Sequence, residues 1–170
     1  MKSDLIKRLK QIENIIYEEP SAQGISSHYV DVKRAYGYPE ILNTLSTFVY
    51  AHLEHGTNCI AARGNGGVPL ATAISTEYNI RLAIVRDSPR QHGINECWFD
   101  GHVPTIEDRI SVIDDVFAKG IGTRKTIRII EKTGAKVIGC TVVYKRGEGN
   151  LDDLGIPINC LLLPEDLLKP

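Results

Sequence analysis

At 170 residues the chain is long enough for one domain with a buried core and too short for two ordinary ones, so a single domain over 1–170 is expected. Its 20 basic and 21 acidic residues nearly cancel, and neither a basic stripe nor an aromatic-rich basic patch is present, which argues against nucleic acid and for a small charged ligand. Cys59, Cys97, Cys140 and Cys160 have neither metal-site nor redox spacing, and no apolar leader or membrane span is visible; a cytoplasmic protein with reduced thiols is predicted.

Residues 1–17 set Lys2, Lys7, Arg8 and Lys10 beside Leu5, Leu9, Ile12 and Ile16, the pattern of an amphipathic helix. A polar connection over 18–27 precedes a short alternating strand at 28–33. Pro39 opens a helix reaching about 55, with Ile41, Leu45, Phe48, Val49 and His52 on compatible spacings. His52 and His55 lie one turn apart, but no Cys or acidic pair completes a site, so no protein-held metal is expected from them. An apolar strand at 59–62 runs into a glycine-rich turn, followed by a helix over 70–78 and a β-branched strand at 80–85. From 86 to 108 all periodicity is lost, which predicts a long loop or an irregular hairpin arm. Strands at 110–113, 136–144 and 159–163, with a helix at 124–133 closed by Gly134, complete the chain. The alternation implies an α/β fold, with a central, mainly parallel sheet flanked by helices.

Three segments carry chemistry. In Ile110-Ser111-Val112-Ile113-Asp114-Asp115-Val116-Phe117-Ala118-Lys119-Gly120-Ile121-Gly122-Thr123, a buried strand ends in paired carboxylates and a glycine-broken loop. Ligands of open α/β sheets sit beyond such strand ends, and the free N–H groups and dipole of the following helix suit an anion. Asp114 and Asp115 could accept hydrogen bonds from sugar hydroxyls close to that anion cradle; taken alone, they fit equally well as an N-cap and a solvated neighbour. Arg63-Gly64-Asn65-Gly66-Gly67-Val68-Pro69-Leu70-Ala71 is a second strand-to-helix junction, whose glycines let backbone amides approach a diphosphate. Arg86-Asp87-Ser88-Pro89-Arg90-Gln91-His92-Gly93 brings Arg86, Arg90 and His92 to the mouth of the long loop, as cations around a leaving polyphosphate or simply as a solvated basic loop.

Together these segments are similar to the type I phosphoribosyltransferases. The hydrophobic run, acidic doublet and small-residue loop resemble that family's phosphoribosyl pyrophosphate signature, and Gly66-Gly67-Val68-Pro69-Leu70-Ala71 resembles its orotate-specific branch. Residues 86–93 look like that branch's mobile catalytic loop, which reaches a neighbouring active site across a homodimer. Ser26-Ser27-His28-Tyr29-Val30-Asp31-Val32-Lys33, Val142-Val143-Tyr144-Lys145-Arg146-Gly147-Glu148-Gly149 and 155–162 extend the likeness, with 1–35 and 155–170 as hood and closing strand. The resemblance implies transfer of ribose 5-phosphate from phosphoribosyl pyrophosphate to a nitrogen base, orotate first, with Mg²⁺ as cofactor. It implies Asp114, Asp115, Arg90 and His92 as catalytic residues. Arg63, Gly64, Gly66, Gly67, Arg86, Ala118, Lys119, Gly120, Gly122 and Thr123 would hold the donor, and Lys33 and Arg146 the base. The chain departs from the family at Ala118 and Ile121, where threonines are usual, and at Asp87 and Arg90, where lysines are usual. Those departures leave open transfer to another base, or donor binding without turnover.

Overall fold

The computed structural model describes residues 2–20, 26–90, 97–147 and 149–168. It opens with α1 (Lys2–Lys10), which buries Leu5 and Leu9, and an antiparallel pair, β1 (Ile16–Pro20) and β2 (Ser26–Val30). The helix expected over 1–17 therefore ends early. Asn14 turns the backbone into the left-handed region at φ 56°, and the β-branched Ile15-Ile16 pair favours extension beyond it. The strand expected at 28–33 is displaced toward the N-terminus. Val32–Gly37 instead forms a 3₁₀ turn that buries Val32 and Ala35.

α2 (Pro39–Ala51), with proline in its first turn as expected, stops before His55. β3 (Cys59–Arg63) leads directly into α3 (Gly64–Tyr78), so the glycine run is the first turn of the helix rather than a loop before it. β4 (Arg81–Arg90) extends past Val85 and pairs with β5 (Cys97–Gly101) through Val85↔Phe99 and Arg90↔Cys97, which makes the aperiodic stretch a hairpin arm. β6 (Arg109–Phe117) continues through the acidic doublet, α4 (Ile121–Glu131) starts right after Gly120, and β7 (Lys136–Lys145), β8 (Ile158–Leu162) and the short α5 (Pro164–Leu167) follow.

The main sheet has the order β5-β4-β3-β6-β7-β8 and is parallel except for β5. Successive side chains of a strand face opposite ways, and β3 serves two cores accordingly. Ile60 and Ala62 pack with Leu45, Val49, Leu70 and Ile74 of α2 and α3. Cys59 and Ala61 pack with Ile127 and Ile130 of α4. Helices thus cover both faces, and the carboxyl ends of the parallel strands β3 and β6 stay open together. Among the described residues no helix is long and apolar enough to cross a membrane.

Candidate active site

β3 and β6 run side by side, with Ala62 opposite Ile113, so the chain leaves β3 where the acidic doublet begins. The first turn of α3 then lies directly against that doublet. A Cβ on Gly66 would run into Asp115 Oδ1, and one on Gly67 would stand 2.5 Å from the Ile113 carbonyl oxygen. Only glycine allows this approach. The Tyr36 hydroxyl fixes the turn from the other side by donating to the Gly66 carbonyl at 2.7 Å.

Asp114 and Asp115 lie within β6, and the Asp115 N–H donates to Asp114 Oδ1 at 3.0 Å. Burial, with the charge of Asp115 beside it, pushes the Asp114 carboxyl up to about 7, although Arg63 pulls in the opposite direction. Lys33 Nζ lies 2.9 Å from Asp31 Oδ1 and 3.6 Å from Asp115 Oδ2. Burial lowers the affinity of that amine for its proton, but the Asp31 hydrogen bond and the charges of Asp115 and Asp31 outweigh it, and Lys33 is raised above its usual range.

Two cavities meet at Asp114, Val116, Ala118 and Arg146. One, of about 650 Å³, extends over Lys119, Gly120, Ile121, Gly122 and Thr123 at the start of α4. Gly120 at φ 70° caps that helix, and a Cβ there would stand 2.7 Å from the Phe117 ring. Free N–H groups and the positive end of the helix dipole suit this end of the cavity to an anion. Ile121 is 75% exposed at the mouth of this cavity, whereas Thr123 is buried in its wall. The other cavity, of about 420 Å³, is lined by Tyr29, Lys33, Asn65, Gly66, Asp115 and Arg146. The Arg146 guanidinium lies 5.6 Å over the Tyr29 ring, a cation–π arrangement.

The arm holds its cations elsewhere. Arg86 Nη1 lies 2.7 Å from Asp100 Oδ2, and Arg90 Nη2 lies 2.5 Å from Asp100 Oδ1. Arg63 binds Asp87 Oδ1 through Nε at 2.8 Å and Nη2 at 2.6 Å, so Asp87 is part of an ion pair rather than a bare charge at the mouth. Gly64, at φ 68°, begins the turn with open space around it. His92 lies outside the described residues. The structure therefore gathers Lys33, Gly66, Asp114, Asp115, Ala118, Lys119, Gly120, Gly122, Thr123 and Arg146 around adjoining cavities, seats Gly67 beneath them, and turns Arg86 and Arg90 toward Asp100. Sequence reasoning passed over Tyr36, Asn65 and Asp100. Asn65 stood inside the quoted glycine run, but nothing in the spacing of Tyr36 or Asp100 marks a partner thirty or ten residues away.

Residues 42–167 match the family model of the phosphoribosyl transferase domain. The chain is 32% identical over 174 residues to the orotate phosphoribosyltransferase of Methanosarcina acetivorans, covering 99% of this chain and 92% of that protein. Its fold is similar to that of the orotate phosphoribosyltransferase of Aeropyrum pernix, with a TM-score of 0.80, 21% identity, and coverage of 99% and 96%. A similar fold occurs in the Mycobacterium tuberculosis orotate phosphoribosyltransferase in complex with 5-phospho-α-D-ribosyl 1-diphosphate, with a TM-score of 0.75, 19% identity, and 99% coverage of each chain. With its domain model matched through the glycine turn, the acidic doublet and the start of α4, and a relative aligned nearly end to end, the chain belongs to the phosphoribosyl transferase domain family.

Proposed function

We propose that the chain transfers the ribose 5-phosphate of 5-phospho-α-D-ribosyl 1-diphosphate to orotate, forming orotidine 5′-monophosphate and pyrophosphate. The observation that carries this reading is the acidic doublet at the junction of the two cavities, with an anion cradle on one side and Lys33, Tyr29 and Arg146 on the other. The curated relative named above supports orotate as the base.

In this reading the bond from ribose C1 to pyrophosphate breaks as the bond from C1 to the base nitrogen forms. Positive charge grows on the ribose ring, and negative charge grows on the leaving group. Asp114 and Asp115 accept hydrogen bonds from the ribose hydroxyls and favour the cationic ring. Gly120, Gly122 and Thr123 hold the 5′-phosphate through the α4 N-terminus, beside Ala118 and Lys119. Arg63, Gly64, Gly66 and Gly67 face the diphosphate. Arg86 and Arg90 exchange Asp100 for the departing pyrophosphate as the arm closes, with His92 as proton donor. Lys33 and Arg146 bind the base, the planar fork of Arg146 matching the orotate carboxylate.

Mg²⁺ fits this site. Its donors are carboxylate oxygens, and Asp114 is disfavoured as an anion by burial and by Asp115, a condition that a divalent cation relieves. Asp114 and Asp115 would hold it, and it would supply positive charge to offset the negative charge growing on the leaving group. The four thiols are free, which agrees with a cytoplasmic setting. In a homodimer, the arm beyond Arg90 would serve the site of a second copy, and 1–35 with 155–170 would form the hood and closing strand of one domain.

Pyrophosphate release measured with orotate, uracil, hypoxanthine and adenine tests the reading. Turnover with orotate is the expected result; turnover with another base alone, or saturable donor binding without any turnover, overturns it. The Arg146→Ala variant should raise the orotate KM by roughly 10–100-fold, the worth of a charge-assisted hydrogen-bonded contact, with a much smaller change in the donor KM. An equal rise in both constants would remove Arg146 from the base site.

A further inference from the structure

The opposite end of the sheet carries a second cluster of titratable side chains, separate from the transferase site. Cys59 is the first residue of β3, Asp108 directly precedes β6, and His102 directly follows β5. Parallel β3 and β6 start side by side, and β5 returns to this end because it runs antiparallel to β4. One ligand atom from each residue lies within 4.8 Å of the other two. Cys59 and Asp108 are fully buried, and the His102 side chain is 24% exposed.

The bonding within the cluster is uneven. Asp108 Oδ2 accepts from the Thr105 N–H at 2.7 Å and the Thr105 hydroxyl at 3.2 Å, and lies 2.8 Å from His102 Nε2. Among the described residues Asp108 Oδ1 is buried without a hydrogen bond, and Arg81 Nη2 approaches it as an ion-pair partner at 3.1 Å. The Cys59 thiol makes a long contact to the Ile60 carbonyl at 3.5 Å, and the Ala83 backbone N–H faces its sulfur as a donor. A sulfur, an imidazole nitrogen and a carboxylate thus converge where an acceptor oxygen lacks a hydrogen-bond donor.

We infer that Cys59, His102 and Asp108 form a binding site for a borderline-soft divalent cation of the zinc type, with water as the fourth ligand on the exposed side of His102. Zinc takes such mixed S, N and O sets tetrahedrally, and at its usual bond lengths the ligand atoms stand about 3.4–3.6 Å apart. Closing the cluster from its present spacing requires shifts of roughly 1 Å or less. A thiolate donor selects against Mg²⁺ and Ca²⁺, so this site and the oxygen-only doublet choose different ions.

On binding, the His102 ring gives up its hydrogen bond to Asp108, its Nε2 proton is exchanged through solvent to Nδ1, and Nε2 offers its lone pair. Thr105 keeps the Asp108 carboxylate oriented as an outer partner. The Cys59 S–H bond breaks, sulfur keeps the electron pair, and the proton passes to solvent. Burial pushes that thiol up to about 12, with Asp108 adding and Arg81 opposing, and a bound dication reverses this preference. An ion held here ties the return strand of the hairpin arm to the starts of β3 and β6.

The test uses the purified full chain, stripped with chelator and titrated with Co²⁺ and Zn²⁺. One Co²⁺ per chain should bind with a near-ultraviolet thiolate-to-cobalt absorption band, which Zn²⁺ then bleaches, and Zn²⁺ should raise the Tm progressively. Cys59→Ser should abolish the band and weaken Zn²⁺ by about 100-fold or more, beyond the range of an outer-shell partner; Asp114→Asn should retain both signals. Should Cys59→Ser fold poorly, His102→Gln at the exposed side serves, with Zn²⁺ weakened by at least about 10-fold. A parent chain without the band, or a folded Cys59→Ser or His102→Gln variant that binds Zn²⁺ as the parent does, overturns the assignment.

Discussion

Replacing Asp114 and Asp115 together by asparagine should lower pyrophosphate-forming turnover by roughly 10²–10³-fold, because the charge developing on the ribose ring loses both anions placed to meet it. Donor affinity should fall as well, since the ribose hydroxyls lose their strongest acceptors. Unchanged turnover and affinity would remove the doublet from the ribose site. The same pair has an opposite effect on the ligand-free fold. Asp114 holds its proton up to about 7, above the ordinary 3.8, so between those values the folded chain binds more protons than the unfolded chain. Stability therefore falls as pH rises from about 4 through 7, and then levels off. Asp114→Asn should accordingly raise the melting temperature at pH 8 and leave it nearly unchanged at pH 4.5, by about 2–4 °C for each kcal/mol of charge burial and repulsion relieved. Equal shifts at the two pH values would show that Asp114 is not the residue that titrates.

Alanine at Gly66 and at Gly67 should separate chemistry from folding within one helical turn. At Gly67 the new Cβ meets a backbone oxygen of β6, Ile113 O, which cannot swing aside. The helix must lift from the sheet, and Gly67→Ala should lose about 1–3 kcal/mol of stability. At Gly66 the neighbour is the Asp115 carboxylate, a side chain able to rotate away. Gly66→Ala should therefore fold nearly as well as the parent and lose about 10²-fold in kcat, the cost of misplacing a reacting group by about an ångström. Denaturant titration beside steady-state kinetics measures both. A Gly66→Ala variant with parental kcat would mean that Asp115 has no positional role.

These two glycines also show where the sequence was readable and where it was not. The strands around 59–62, 110–113 and 136–144 were legible because runs of apolar, β-branched residues bounded by polar punctuation have few other uses. The start of α3 was not, since three glycines in its first turn have the poorest helical propensity short of proline. What holds that turn is tertiary, the fit of bare backbone against Asp115 and Ile113 and the Tyr36 hydroxyl on Gly66. The extension of β4 to Arg90 has the same origin: it depends on pairing with β5 and on Asp100 gripping two arginines, none of which leaves a local period. At the site, the doublet and the Gly120–Thr123 cradle were legible as strand-end motifs. The Lys33–Asp115 pair was not, because an ion pair between residues so far apart in sequence leaves no spacing to read.

The Tyr36 hydrogen bond has one further consequence. Its ring belongs to the same 3₁₀ turn as Lys33, while its hydroxyl holds the backbone of the glycine that abuts Asp115. On the proposed roles, a base that settles the Lys33 turn also stiffens the diphosphate-facing turn, and a bound donor returns the favour by the same free energy. Each substrate should therefore tighten the other's dissociation constant by an equal factor. Loss of that single phenol oxygen would leave both substrates bound independently.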